Sequence, residues 1–557
     1  RAVYKNSGMD MRTYKRLQMF VHAEKLIDDK TNLRDGDVSV FLRLGSDSKS
    51  NYYEYEVPLS LTEPGNYSTY NAQDQEAVWP QSNMFDFPLS LFTDLKLERN
   101  AKKRMDNSTV TFQTRYSSYD PDKNQNKVTI VGNPSLSDVR TMMIGVRNNS
   151  NAAKDIVVWV NEMRLTDFDQ SGGWAAKANV NLGLSDIAML NIAGHVETVG
   201  FGGIDQSLTE RRLDDYYQYN IATMVELGRF LPEKVKLKAP LFYSITEQRT
   251  SPKYNPLDQD ILLKDALDNA GSKAERDSIS DASIEKSTVE SFSLSGVSFD
   301  IRSKNPMPYD PANFSISYSY NRQSKQDPTT EFENTYDYRG SFTYSYTPFV
   351  KPFVPLKGLK SKSKHLKFLK EWEFNYLPNN IAFNTNMSRY YYEQQIRDVS
   401  GSGGMALPTS VSKSFLWDRQ FSLTWNLTKS INLSLQTMTN AHIEEPVGVV
   451  NKQLFPDEYE AWKDTVLTSI KNLGTPWNYN QTFNASYTAP FSKIPVLDYL
   501  SFNAKYNATY TWDRGAQISE EIDLGNSVNN QGQLSFDGRF NFEQLYNKSK
   551  YLQKINK

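Results

Sequence analysis

From Trp174 to Phe542 apolar and polar positions alternate in segments of about ten residues. Tyr479, Phe483, Ala485, Tyr487 and Ala489 alternate with Asn480, Thr482, Asn484, Ser486 and Thr488. Phe502, Ala504, Tyr506, Ala508, Tyr510 and Trp512 do the same against Asn503, Lys505, Asn507, Thr509, Thr511 and Asp513. A period of two sends successive side chains to opposite faces of a β-strand, and about ten tilted residues cross a bilayer. The pattern predicts the wall of an outer-membrane β-barrel of about thirteen strands. They lie near 174–184, 188–198, 216–228, 234–245, 289–302, 313–322, 335–347, 381–392, 417–428, 430–441, 478–489, 501–513 and 531–543. Asn480, Thr482, Asn484, Ser486, Thr488, Asn503, Lys505, Asn507 and Thr509 are expected to face a water-filled lumen. Trp417, Trp425, Trp477, Tyr487, Tyr510 and Trp512 are the candidates for aromatic girdles, where an amphipathic ring sits at headgroup depth.

Residues 1–169 are written differently. Runs such as Val38–Leu44 and Ile156–Val160 are rich in Val, Ile and Leu and lack the long Asn/Ser/Thr alternation, which predicts a separate soluble β-sandwich. The fold class is therefore all-β: a sandwich over 1–169 and barrel strands over 170–557.

Barrels alternate short inner turns with long outer loops. Starting from the tight Ser185-Asp186-Ile187 turn, 229–233, 303–312, 429 and 490–500 fall on the short side. Segments 199–215, 246–288, 323–334, 393–416, 442–477 and 514–530 fall on the long side. Segment 348–380 is long yet on the inner side, so Glu371–Tyr376 is read as lying outside the wall. Its lysines, from Lys351 to Lys370, interleave with Leu356, Leu359, Leu366, Phe368 and Leu369, as in a basic amphipathic helix at the inner headgroup surface or a solvated basic loop. Strand 174–184 must run inward, which puts the 1–169 domain on the extracellular side. The acidic stretch from Asp258 to Glu290 reads as a loop helix on that side. An odd strand number does not close an antiparallel barrel, so the chain, which opens on Arg1, is expected to be a piece of something longer.

Composition narrows the function. The 557 residues have no Cys, four His and a net charge of -2. No nucleic-acid partner is expected without a basic surface, and neither thiolate chemistry nor a Cys-based metal site is available. His22, His195, His365 and His442 are scattered, and Gly401-Ser402-Gly403-Gly404 lacks the lysine of a phosphate loop. Asp120, Asp122 and Asn124 begin like a calcium loop, but Gln125 stands where Gly is needed and Val131 where the bidentate Glu belongs. An ordinary polar turn is the competing reading. No catalytic residue and no cofactor are expected.

Several phrases resemble the SprA (Sov) family of Bacteroidota. They are Asp10-Met11-Arg12-Thr13-Tyr14-Lys15-Arg16-Leu17-Gln18-Met19-Phe20-Val21-His22, Leu33-Arg34-Asp35-Gly36-Asp37, Tyr52-Tyr53-Glu54-Tyr55-Glu56, Leu377-Pro378-Asn379-Asn380 and Pro476-Trp477-Asn478-Tyr479-Asn480-Gln481. The resemblance implies an outer-membrane translocon of the type IX secretion system, also needed for gliding motility in some members. It implies a very large single-chain barrel that passes folded cargo bearing a C-terminal signal domain. Implied partners are outer-membrane lipid, a PorV-like barrel and periplasmic plug or motor components. Two other readings compete: a TonB-dependent-type transporter, with 1–169 as a plug, and a soluble carbohydrate-binding cell-surface β-protein.

Overall fold

The computed structural model describes residues 1–207, 210–356, 358, 367–398, 407–515 and 524–555. Residues 1–169 form two facing antiparallel sheets. Their strands are β1 (Ala2–Met9), β2 (Tyr14–Lys25), β3 (Val38–Gly45), β4 (Tyr52–Pro58), β5 (Phe85–Pro88), β6 (Tyr116–Tyr119), β7 (Lys127–Val131), β8 (Val139–Asn148) and β9 (Ile156–Phe168). One sheet has the order β1-β8-β3-β4-β7-β6 and the other β5-β2-β9. Helices α1 (Ala72–Val78) and α2 (Ser90–Lys103) complete the unit. Alternation within strands makes the core: Leu17, Met19 and Val21 of β2 meet Val40, Leu42 and Leu44 of β3 and Tyr53, Tyr55 and Val57 of β4. Tyr55 stacks on Phe87 at 3.9 Å, and Tyr53 on Phe92 at 4.9 Å.

Beyond Gly173 come β10 (Ala175–Leu184), β11 (Ala188–Glu197), β12 (Asp214–Glu226), β13 (Leu237–Lys238), β14 (Pro240–Pro252), β15 (Tyr254–Asn255) and β16 (Asp258–Leu262). Helices α3 (Leu263–Asp268) and α4 (Lys273–Ser283) lead into β17 (Glu285–Phe299), β18 (Phe314–Gln326) and β19 (Thr330–Tyr346). A single helical turn, α5 (Lys367–Lys370), precedes β20 (Asn380–Ile396), β21 (Ser410–Asn426) and β22 (Ile431–His442). Then follow α6 (Pro456–Lys471), β23 (Thr475–Thr488), β24 (Leu500–Asp513), β25 (Ser527–Phe540), α7 (Phe542–Tyr546) and α8 (Lys550–Ile555). Thirteen strands pair in sequence order, β10-β11-β12-β14-β17-β18-β19-β20-β21-β22-β23-β24-β25, with the short β13 paired to β17. Each overlaps one of the thirteen expected segments, but the fourth, expected over 234–245, is displaced to Pro240–Pro252, because residues 233–235 form a helical turn and Leu237–Lys238 pairs with β17. No helix among the described residues is long and apolar enough to cross a membrane.

The strands differ from expectation in length. β19, β20 and β21 each have 17 residues, against about 9–11 needed to span a bilayer. Nearly all of the surplus lies at the end carrying the long excursions. Ladder hydrogen bonding continues there after the two-faced pattern has faded into Glu393, Gln394 and Gln395. Segment 323–334, expected as a long loop, is consequently a tight turn of Asp327, Pro328 and Thr329. The Asp327 carboxylate closes it by accepting the Thr329 and Thr330 N–H groups at 2.9 and 2.8 Å.

The described residues of 348–379 lie outside the wall, with Phe353 and Phe374 bonded to each other through both backbone groups at 2.8 and 2.9 Å. Of the expected basic helix, Lys367–Lys370 forms a helical turn and 351–356 does not; Lys357 and Leu359 to Leu366, His365 among them, fall outside the described residues, as does Gly401-Ser402-Gly403-Gly404. The acidic stretch from Asp258 begins as β16, which pairs with β15 just before it, and continues as α3, α4 and the start of β17, where a single helix was expected.

Candidate functional site

Register makes the wall two-faced. Asn480, Thr482, Asn484, Ser486 and Thr488 pair with Thr511, Thr509, Asn507, Lys505 and Asn503. All nine residues expected on the polar face therefore share it, and the face continues across neighbouring strands. One cross-strand row runs Asp513, Asn478, Asn440, Asp418, Asn386, Ser341 and Ser317. Side chains bond along such rows, as from Asn484 to Ser434 at 3.3 Å and from Thr343 to Asn384 at 3.1 Å. On the other face Ile431, Tyr487, Ala504 and Phe536 form an apolar row, one step from Leu433, Ala485, Tyr506 and Leu534.

The six girdle candidates do not form one ring. Trp425 and Tyr487 lie at the short-turn end, the Trp425 indole donating to the Asn375 carbonyl at 2.8 Å. Trp417, Tyr510 and Trp512 sit on the same face toward the other end, Trp417 donating to Thr385 at 2.6 Å. Trp477 is displaced. It is the extra residue of a β-bulge, since Pro476 pairs with Ala441 and Asn478 with Asn440, and it lines a hollow on the polar side.

Of the calcium-loop candidates, Asp120 has a structural role in the sandwich. Asp120 is buried, accepts the Tyr55 hydroxyl at 2.5 Å and takes the Asp122 N–H at 2.9 Å, closing the β6–β7 hairpin. Among the described residues no group of three His, Cys, Asp or Glu is placed to hold a metal ion.

Two features had no local signal in the sequence. The first is the seam where excursion 253–284 docks on the sandwich. Lys96 of α2, fully buried, bonds Asp260 at 2.8 Å, the Pro134 carbonyl at 2.8 Å and Asp258. Asp260 also accepts the Tyr53 hydroxyl at 2.6 Å and the Leu136 N–H at 3.1 Å. Burial pushes the Asp258 carboxyl above the ordinary carboxylate range against the pull of Lys96. Around this centre Arg12 donates to the Gln259 carbonyl at 2.9 Å, Arg104 pairs with Glu275 at 2.7 Å, and Lys253 pairs with Asp169 at 2.8 Å. The Lys253 hydrogen bond, foremost, holds Asp169 at about 2.

The second is on the apolar face. Excursion 443–474 folds over β20 and β21, where Arg389 and the Trp462 indole both donate to Glu445, at 2.8 and 2.6 Å. The Val450 N–H reaches the Tyr391 hydroxyl at 3.1 Å.

Fold and surface together define a section of antiparallel β-barrel wall that carries a β-sandwich at its long-excursion end. Residues 1–267 match the SprA_N family, described as motility related/secretion protein, and that segment of the chain belongs to the family. The match ends inside α3, so it takes in the sandwich, the first four long wall strands and the docking hairpin. No curated protein matches the chain. Among solved structures, the closed form of the ferric-catecholate import receptor Fiu from E. coli K12 shows 10% identity over 73% of this chain and 69% of that one, with a TM-score of 0.21. Its open form shows 11% identity over 70% and 68%, with a TM-score of 0.19. At such TM-scores neither likeness bears on fold or function.

Proposed function

We propose that this chain is a section of a protein-conducting channel in the outer membrane of a Gram-negative bacterium. In this reading the polar face lines the conduit and the sandwich sits outside as a cap. The observation that carries it is the state of the two outermost strands. Every residue of β10 and of β25 is exposed, and both strands run in the same direction, so they cannot close antiparallel on each other. Unpaired edges in hydrocarbon cost several kcal/mol per backbone group, so further strands must join both edges. Thirteen strands at about 4.8 Å each already give an arc of roughly 60 Å, which suits a very wide lumen.

A wide conduit lined by Asn, Ser and Thr passes polypeptide without bond-breaking chemistry. The proposed cargo is folded protein bearing a C-terminal signal domain, exported by a type IX system of Bacteroidota and supporting gliding motility. Lipid, a PorV-like barrel and periplasmic plug or motor components are the proposed partners, and the energy comes from outside this chain. A plugged transporter would need residues 1–169 to enter from the short-turn side, whereas here they pack on excursion 253–284.

Density for the complete detergent-solubilised protein tests the proposal. It should show these strands as a contiguous arc of one larger wall, with further strands at β10 and β25. A closed wall built from these strands alone would sink it.

A further inference from the structure

Two adjoining hollows of about 450 and 650 Å³ open on the polar face and meet at Asp418. The larger lies at the long-excursion ends of β22, β23 and β24, and its walls include Asn440, His442, Glu444, Trp477 and Arg514. Trp477 reaches it only because of the bulge after Pro476, a residue that cannot donate to the ladder. Its ring is 61% exposed, and its indole N–H has no hydrogen-bond acceptor among the described residues. Glu444 is engaged by the Thr475 hydroxyl at 2.9 Å. Three other polar groups are not engaged. The Asp418 carboxylate and the Arg514 guanidinium have no side-chain partner among the described residues, and the Asn440 Oδ1 is buried with no donor.

A flat apolar ring beside unpaired acceptors and an unpaired donor is a chemically specific arrangement. We propose that this hollow binds a neutral saccharide. Sugar hydroxyls donate to Asp418 and accept from Arg514, while an apolar C–H face of the sugar packs on the Trp477 ring. A cationic ligand is opposed by Arg514 in the same wall, and an anionic one by Asp418 and Glu444. The site stands at the rim of the polar face nearest the sandwich, and it is independent of whether the wall conducts protein.

The test is calorimetric titration of the complete detergent-solubilised protein with maltohexaose, cellohexaose and mannohexaose. At least one should bind. Trp477→Ala should weaken that binding about tenfold or more, as removal of a central aromatic contact does. Trp477→Phe should retain most of it, and the exposed Arg514→Ala should weaken it without altering the unfolding transition. Absence of binding by all three, or equal binding by Trp477→Ala, overturns the proposal. So does binding of hexalysine that is lost in Asp418→Asn and indifferent to Trp477→Ala, which would make the hollow a cation site.

Discussion

The Lys96 ammonium lies 2.8 Å from the Asp260 carboxylate across 164 residues of chain, and neither side chain is exposed to solvent. This pair, with Tyr53 and Asp258 around it, fastens the sandwich to the wall at a second point besides the 169–173 connector. A buried ion pair is worth little over an apolar replacement, but a half-removed one leaves an uncompensated charge.

Lys96→Met is therefore expected to destabilise the sandwich by about 3–5 kcal/mol, read from denaturant unfolding. The triple variant Lys96→Met, Asp258→Asn, Asp260→Leu should recover a large part of that loss, because no charge is then stranded. Equal destabilisation by the single and triple variants would show that the pair is not the source of the effect.

The seam should also respond to acid. Asp169 is held at about 2, below an unfolded carboxyl of about 4. Its contribution is fully present above the unfolded value and is lost as pH falls from about 4 toward 2. Asp258, raised by burial, runs the other way, stabilising most at low pH and losing that contribution as pH rises through its raised value. Spin labels on the exposed Lys49 and Lys264 should report a broadening distance between sandwich and excursion below about pH 4. Asp169→Asn should flatten that acid response.

Alternation makes the sharpest forecast. Cysteines placed singly from Asn480 to Thr488 should label with a water-soluble reagent at the even positions and resist it at Phe483, Ala485 and Tyr487. Uniform labelling would remove the membrane assignment. In the same strand Ala485→Arg should cost about 2–4 kcal/mol in lipid, whereas Asn484→Arg should be tolerated.

Within the sandwich, the Tyr55 hydroxyl bridges Asp120 at 2.5 Å and Asn126 at 2.9 Å, all three residues being buried. Tyr55→Phe keeps the ring stacked on Phe87 but leaves one oxygen of a buried carboxylate without its donor. The expected loss is about 1–3 kcal/mol, measurable as a lowered denaturation midpoint with an unchanged slope.

The wall was legible because a strand's two faces are decided residue by residue. Backbone geometry sends Asn484 one way and Ala485 the other whatever lies next to them, so thirteen strands and their polar face could be read without any knowledge of pairing. Where the strands rise past the apolar band, both faces carry polar residues and the signal fades. The backbone ladder does not fade, so β18 and β19 close on Asp327 and Thr329 beyond the point where the pattern gave out.

Tertiary structure alone decided the rest. Lys96 meets Asp260, Arg389 meets Glu445, and Trp477 is turned by a bulge against Asn440 and Ala441. Side chains brought together by the path of the whole chain leave no period in the sequence. A register shift likewise depends on the partner strand, which no single segment encodes.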